Sequence, residues 1–428
     1  MLLVYTHKIT PRLRYTFKQV CTRILYIEVD FTTIIETFIA HDGIKMSYTN
    51  QPLGNEFFIK SHELLFEQGL SDIEIKVSDW ENTKCFFPNG ERSQLPYDIF
   101  AASFFLLSRY EEYLPHVKDE YGRFLAEESL AYKNQFLEFP VVDIWSVKFK
   151  NALAQKFPDY KFPKIAYRVI PVIDVPMVFY YKKKGLLRMF GGFVSDLGRF
   201  KFKSFYQRFL VILGIKEDPY NTFKWLIGKQ KEFNQKFIVL FLIGAYSNFD
   251  KNISINRKAF VTLIKYVADY CSVGLKSSYN ALTNSIILKE EKLKLEGIIH
   301  VEVKYNRNSF SKVNLPESYR QLVEQEIPED YSMGYVNHIG FRAGTCSPFL
   351  FYDLDYDSVT PLKVVPYSIL DFALLKFQSL LDKKEKLEEI KQRVKEVNGT
   401  FVPVFHNYTF SDHERWEGFK ELFDISLK

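Results

Sequence analysis

Phe237-Ile238-Val239-Leu240-Phe241-Leu242-Ile243, closed by Gly244, is the most apolar stretch of the chain. It falls far short of the roughly 20 residues that a membrane-crossing helix needs. A short, fully apolar run bounded by glycine reads instead as a strand buried on both faces, the kind found in parallel sheets whose crossovers are helices. The surrounding sequence keeps that alternation from about Ile165 onward. Strands are expected at 166–174, 236–246, 272–277, 298–305, 331–336, 362–366 and 401–406, and helices at 221–233, 257–270, 282–295, 316–325, 368–397 and 412–422. Pro316 suits a first helical turn, where its missing N–H has no partner to lose. Further along, Glu389 and Arg393 are spaced as an i,i+4 ion pair on a solvated face.

Such a βα series fits either a distorted (β/α) barrel or an open doubly wound sheet, and periodicity leaves both open. Either arrangement places a site at the C-terminal ends of the strands. The first 160 residues look different, with short strands at 56–59 and 72–77 and one strongly apolar helix at 98–113. They read as a smaller α+β domain, 1–160, ahead of an α/β domain, 165–428, with the boundary in the Lys- and Pro-containing stretch between Pro158 and Pro163.

The balance of 57 Lys and Arg against 52 Asp and Glu gives a formal charge of +5, too small for so long a chain to suggest a nucleic-acid partner. One region departs from that balance. Between Tyr180 and Lys203 basic residues interleave with Phe190, Phe193, Phe200 and Phe202, either a basic aromatic lip over a glycan or phosphate or a solvated connection with buried rings. Cys21, Cys85, Cys271 and Cys346 lie far apart without a C-x-x-C pair, so reduced thiols are expected. The N-terminus lacks the basic-then-apolar order of a secretory leader and no run reaches spanning length, so a cytoplasmic location is the expectation.

Asp174 ends the first strand of the series in Pro171-Val172-Ile173-Asp174-Val175-Pro176, and His406 ends the last in Val404-Phe405-His406-Asn407. A carboxylate and an imidazole at strand ends are a candidate general base and proton donor; each residue type also serves structure, the Asp as a turn cap. Gly340-Phe341-Arg342-Ala343-Gly344-Thr345 is a glycine-bracketed loop whose Arg could fix a carboxylate, or a plain surface turn. Asp353, Asp355 and Asp357 imitate half of a calcium loop, but the Gly and terminal Glu are missing, and an Asp-rich turn is the better reading.

Taken together, Ile173-Asp174-Val175, Val273-Gly274-Leu275-Lys276-Ser277-Ser278-Tyr279, Phe341-Arg342-Ala343-Gly344 and Phe405-His406-Asn407 resemble the polysaccharide deacetylases of carbohydrate esterase family 4. The branch resembled carries an extra N-terminal domain, matched here by the stretch from Asp98 to Tyr113 and by Gly122-Arg123-Phe124. The resemblance covers nearly the whole chain. It implies a distorted (β/α) barrel preceded by the α+β domain, and hydrolysis of an acetyl group by water on a divalent metal such as zinc. It also implies Asp174 as base, His406 as acid, Arg342 as the residue orienting the base, and Tyr279, Phe341 and Gly344 as substrate contacts.

The metal ligands are where this sequence departs. The second Asp of the family's first motif is represented by Val175 and Pro176, the two His of the second by Lys276 and Asn280, and a further His of the branch by Ser309. An ammonium must lose its proton before it can ligate, so Lys276 is hostile to a metal. The expected reading is a degenerate deacetylase without a metal cofactor that keeps a glycan cleft, with Lys276 standing in for the cation and pairing with Asp174. Two alternatives remain, an active carbohydrate deacetylase that recruits one of Asp353, Asp355 or Asp357, and a scaffold partner of a sugar-processing enzyme. Sugar identity and oligomeric state leave no trace in the sequence.

Overall fold

The computed structural model describes residues 1–182, 198, 200 and 202–428. Most of the basic aromatic run of 180–203 therefore lies outside the described residues. The chain is a mixed α/β protein rich in parallel strand pairs, and no sheet among the described residues closes on itself. By contact it divides into two units, residues 1–169 with 311–373 and 388–402, and residues 170–310 with 374–387 and 403–428. The expected division at 1–160 and 165–428 did not foresee that 311–373 returns to the first unit.

Buried polar anchors account for that return. In the helix Val141–Lys156, Asp143 accepts from Thr345 Oγ1 at 2.8 Å, Cys346 N at 2.9 Å and Ser347 Oγ at 2.5 Å. Gly340 has φ +137°, and a Cβ there would meet the Leu137 carbonyl oxygen at 2.5 Å, so only glycine lets this loop lie against that backbone.

The first unit carries a parallel sheet in the order Val29–Thr32, Leu2–Tyr5, Lys45–Thr49, Phe57–Lys60. Beside it runs the helix Ile99–Leu107, apolar all round and buried on every side, as such a helix must be. Asp98 caps it by accepting from the amides of Phe100 and Ala101, and Phe100 stacks on Phe17 with centroids 3.7 Å apart. The single helix expected at 98–113 is in fact broken. Arg109 takes a left-handed conformation, φ 54°, and a separate turn Tyr110–Tyr113 follows.

In the second unit the elements are β1 (Val172–Val175), α1 (Phe202–Ile212), α2 (Phe223–Phe233), β2 (Ile238–Leu242), α3 (Lys258–Ala268), β3 (Ser272–Ser277), α4 (Ser285–Ile299), β4 (Tyr305–Asn308), β5 (Pro403–His406) and α5 (Phe419–Leu427). The five strands are parallel and ordered β4-β3-β2-β1-β5. The Phe237–Ile243 run is β2, at the centre, with all five strand residues buried as its composition requires. The chain steps from β1 through β4 in one direction and then sets β5 on the far side of β1. In doubly wound sheets such a reversal of strand order is where functional residues gather, here at the C-terminal ends of β1 and β5.

Several expected elements are displaced. Residues 72–77 form no regular element. The strand expected at 298–305 is replaced by the end of α4, which Asn284 caps and His300 terminates in a left-handed conformation, and by β4 further on. Of 331–336 only the short bridge Glu329–Asp330 before it is strand. The four cysteines are buried and free.

Candidate functional site

Register brings the site together. Asp174 and His406 are paired positions on β1 and β5, and Lys276 and Arg307 are paired positions on β3 and β4. Registered residues of parallel strands project to the same face, so two cations and an imidazole converge on one carboxylate. Lys276 Nζ donates to Asp174 Oδ2 at 2.8 Å, Arg307 Nε to the same oxygen at 3.0 Å, and His406 Nε2 stands 3.6 Å from it. Asp174, Lys276 and Arg307 are all buried. Burial would raise the Asp174 pKa, but the charges of Lys276, of His406 when protonated, and of Arg307 outweigh it and hold the carboxyl at about 2. Lys276 is shifted down, first by burial and then by Arg307, against the opposing pull of Asp174 and Asp250. Asp174 Oδ1 is buried and has no hydrogen-bond partner among the described residues.

The Lys276–Asp174 pair expected from the sequence is thus present. Arg342, by contrast, sits in the first unit, where Glu112 binds it through two hydrogen bonds of 2.8 and 2.6 Å. The arginine on Asp174 is Arg307. Phe341 is buried with its N–H on the Leu137 carbonyl, and a Cβ on Gly344, φ +64°, would meet Leu106 Cδ1 at 2.6 Å. Both act in the packing of the first unit. Asp353 and Asp355 are bound by Arg320, and Asp357 by Arg12, in and around the turn of a hairpin in that same unit.

Tyr279 follows β3 directly, and its ring stacks on Phe249, centroids 4.1 Å apart, with Phe310 edge-on to both. These three rings follow the C-terminal ends of β3, β2 and β4, and Phe249 is 46% exposed. Beneath them Asp250 accepts from Tyr279 N at 2.8 Å and Ser309 Oγ at 3.3 Å, and burial raises its pKa. Asp250 and Arg307 are the site residues that sequence reasoning missed. Asp250 lies in the loop that follows β2, well past Leu242, so the strand-end signal that singles out Asp174 does not mark it.

Glu291, on α4, accepts from Ser278 N at 3.1 Å, while its Oε1 is buried without a partner. Burial raises its pKa from 4.5 to about 7. Between these values the folded chain keeps a proton that the unfolded chain gives up, so this group's stabilisation is complete below pH 4.5 and is lost as pH rises through 7. Glu291→Gln, which preserves the acceptor, is expected to raise stability at pH 8 by about 3 kcal/mol and to add nothing at acid pH. Equal thermal shifts of the variant at both pH values would contradict this.

The residues present do not fit a divalent metal. Of the positions where the resemblance puts ligands, Val175 and Pro176 have no side-chain donor, Lys276 offers an ammonium, Asn280 is exposed and Ser309 is hydrogen-bonded to Asp250. Among the described residues no group of three or more His, Cys, Asp or Glu converges as a ligand set.

Comparison with known proteins gives a profile described as a family of unknown function (DUF7033), which matches residues 2–158. No curated protein matches the chain. Among solved structures, the chain is similar to a "putative polysaccharide deacetylase from Mycobacterium smegmatis" at 14% identity, over 63% of this chain and 86% of that one, with a TM-score of 0.41. The polysaccharide deacetylase Bc1974 from Bacillus cereus is 12% identical over 61% of this chain and 85% of that one, TM-score 0.31. A mutant of BA3943, described as a CE4 family pseudoenzyme with restored enzymatic activity, is 9% identical over 61% and 62%, TM-score 0.28.

Proposed function

We propose that this chain is a deacetylase-like protein, an α+β domain followed by a barrel-derived α/β domain, that binds a glycan without metal-dependent hydrolysis. The observation that carries this reading is the pair of buried cations on Asp174 Oδ2, Lys276 at 2.8 Å and Arg307 at 3.0 Å. Lys276 stands at a position where the sequence resemblance calls for a metal ligand. A ligand to a metal must offer a lone pair, and neither a charged ammonium nor a guanidinium has one. Their charge also repels a second cation. The carboxylate that would serve as base is neutralised in place.

Glycan binding is supported by the ring cluster above β2, β3 and β4. The exposed face of Phe249 is the kind of flat apolar surface on which the C–H face of a pyranose packs, and aromatic rings rimmed by a few polar groups are a common ligand site.

Two measurements test the two halves of this reading. After incubation with zinc, cobalt or manganese and desalting, the protein is expected to retain about 0.1 metal per chain or less and to release no acetate from acetylated glycans. Near-stoichiometric metal that disappears in Asp174→Ala would overturn the loss of hydrolysis. Titration with acetylated oligosaccharides is expected to show binding that Phe249→Ala weakens about tenfold. Absence of binding across the panel would remove the glycan.

A further inference from the structure

Helix α1 presents an apolar face to solvent. Phe202, Tyr206 and Phe209, at i, i+4 and i+7, are 62, 62 and 47% exposed, and Leu213, just past the helix end at i+11, is 57% exposed, while Val211 on the opposite side is buried. Beyond the helix, Ile215 is 67% exposed as well. A buried helix turns such a stripe inward; here it points outward, and large aromatics dominate it.

Charge indicates what covers it. The sequence from Lys182 to Lys216 holds nine Lys and Arg against a single Asp, whereas the whole chain nets only +5. Everything outside this stretch is therefore slightly acidic, and the positive charge of the protein is concentrated in the stretch of sequence that leads into and through this exposed aromatic helix. A face of Phe, Tyr and Leu flanked by Lys and Arg is the composition of a helix lying in a membrane interface, with rings among the acyl chains and cations at the phosphates. No helix among the described residues is long and apolar enough to cross a membrane, and α1, with 11 residues, is suited to lie in its plane.

We propose that α1 docks this protein on an anionic lipid surface, with Phe202, Tyr206, Phe209 and the adjoining Leu213 inserted and the net positive charge of this stretch of sequence drawing it to the lipid headgroups. This attachment is independent of the chemistry at Asp174. Near such a surface each basic residue raises partition about fivefold, and added salt screens that attraction.

The test is co-sedimentation of the full chain with vesicles of phosphatidylcholine alone or mixed about three to one with phosphatidylserine. Binding to the mixed vesicles is expected to exceed binding to the neutral ones at least about tenfold and to fall about tenfold in high salt. The double variant F202S/F209S is expected to lose about tenfold in binding while keeping the parent's melting temperature, since both rings are exposed. No binding to either vesicle, or equal binding to both, overturns the proposal. So does concentration-dependent self-association of the parent that F202S/F209S abolishes without any vesicle binding, which would assign the face to a second copy of the chain.

Discussion

Replacing Glu112 by Gln is expected to cost about 3–5 kcal/mol of folding stability at neutral pH, read by urea denaturation. Glu112 is buried between two buried guanidinium groups, accepting from Arg342 Nε and Nη2 and from Arg109 Nε at 2.7 Å. Arg109 keeps Glu111 as a second partner, at 2.7 Å. Among the described residues Arg342 otherwise donates only to the carbonyls of Gly334 and Val313 at 3.5 Å, too far to compensate a stranded charge. Burial would raise the Glu112 pKa, but Arg342 and Arg109 override it and hold the carboxyl at about 2, below its ordinary 4.5. The stabilisation is therefore intact above pH 4.5 and lost as pH falls through 2, and Glu112→Gln flattens that acid limb. Pairing Glu112→Leu with Arg342→Met is expected to recover much of the loss, because removing both charges strands neither. A cost below about 1 kcal/mol for Glu112→Gln would show that the cluster is solvated and carries no buried charge to strand.

The same cluster shows where sequence reading reached and where it stopped. The stretch from Asp98 to Tyr113 stands out in the sequence as an apolar helix, and the structure adds why its end is charged: the chain breaks at Arg109 so that Arg109 and Glu112 can enter a buried ion cluster with Arg342. Nothing local in Phe341-Arg342-Ala343-Gly344 tells whether its Arg serves Asp174 or Glu112, since that choice is made by tertiary packing. The apolar strand β2 was legible because burial on both faces dictates its composition. β4 was not, since Tyr305-Asn306-Arg307-Asn308 spends its inward positions on polar residues that supply the site. Asp174, His406 and Lys276 were legible at their strand ends; that Arg307 joins them depends on the β3–β4 register, which places it level with Lys276.

Removing Asp174 is expected to cost more than removing either cation, and the order discriminates a structural charge cluster from a set of accidental neighbours. Asp174→Asn leaves Lys276 and Arg307 buried side by side without an anion, for a loss of about 3–5 kcal/mol. Lys276→Ala removes one donor while Arg307 still holds Oδ2 at 3.0 Å, so its cost should be smaller, about 2 kcal/mol, the residue being the lost ion pair and the cavity. In the double variant only one cation remains to be stranded, so the two losses should fall short of additivity by about 1–3 kcal/mol. With the Asp174 carboxyl held at about 2 against 3.8 in the unfolded chain, its contribution persists above pH 3.8 and is lost as pH falls through 2, and both single variants should blunt that acid transition. Strict additivity, or a Lys276→Ala melting temperature equal to that of the parent, would mean that Lys276 does not compensate Asp174. The reading of this site as one whose cation is supplied by the chain itself would then fail, whatever the protein retains of metal or sugar.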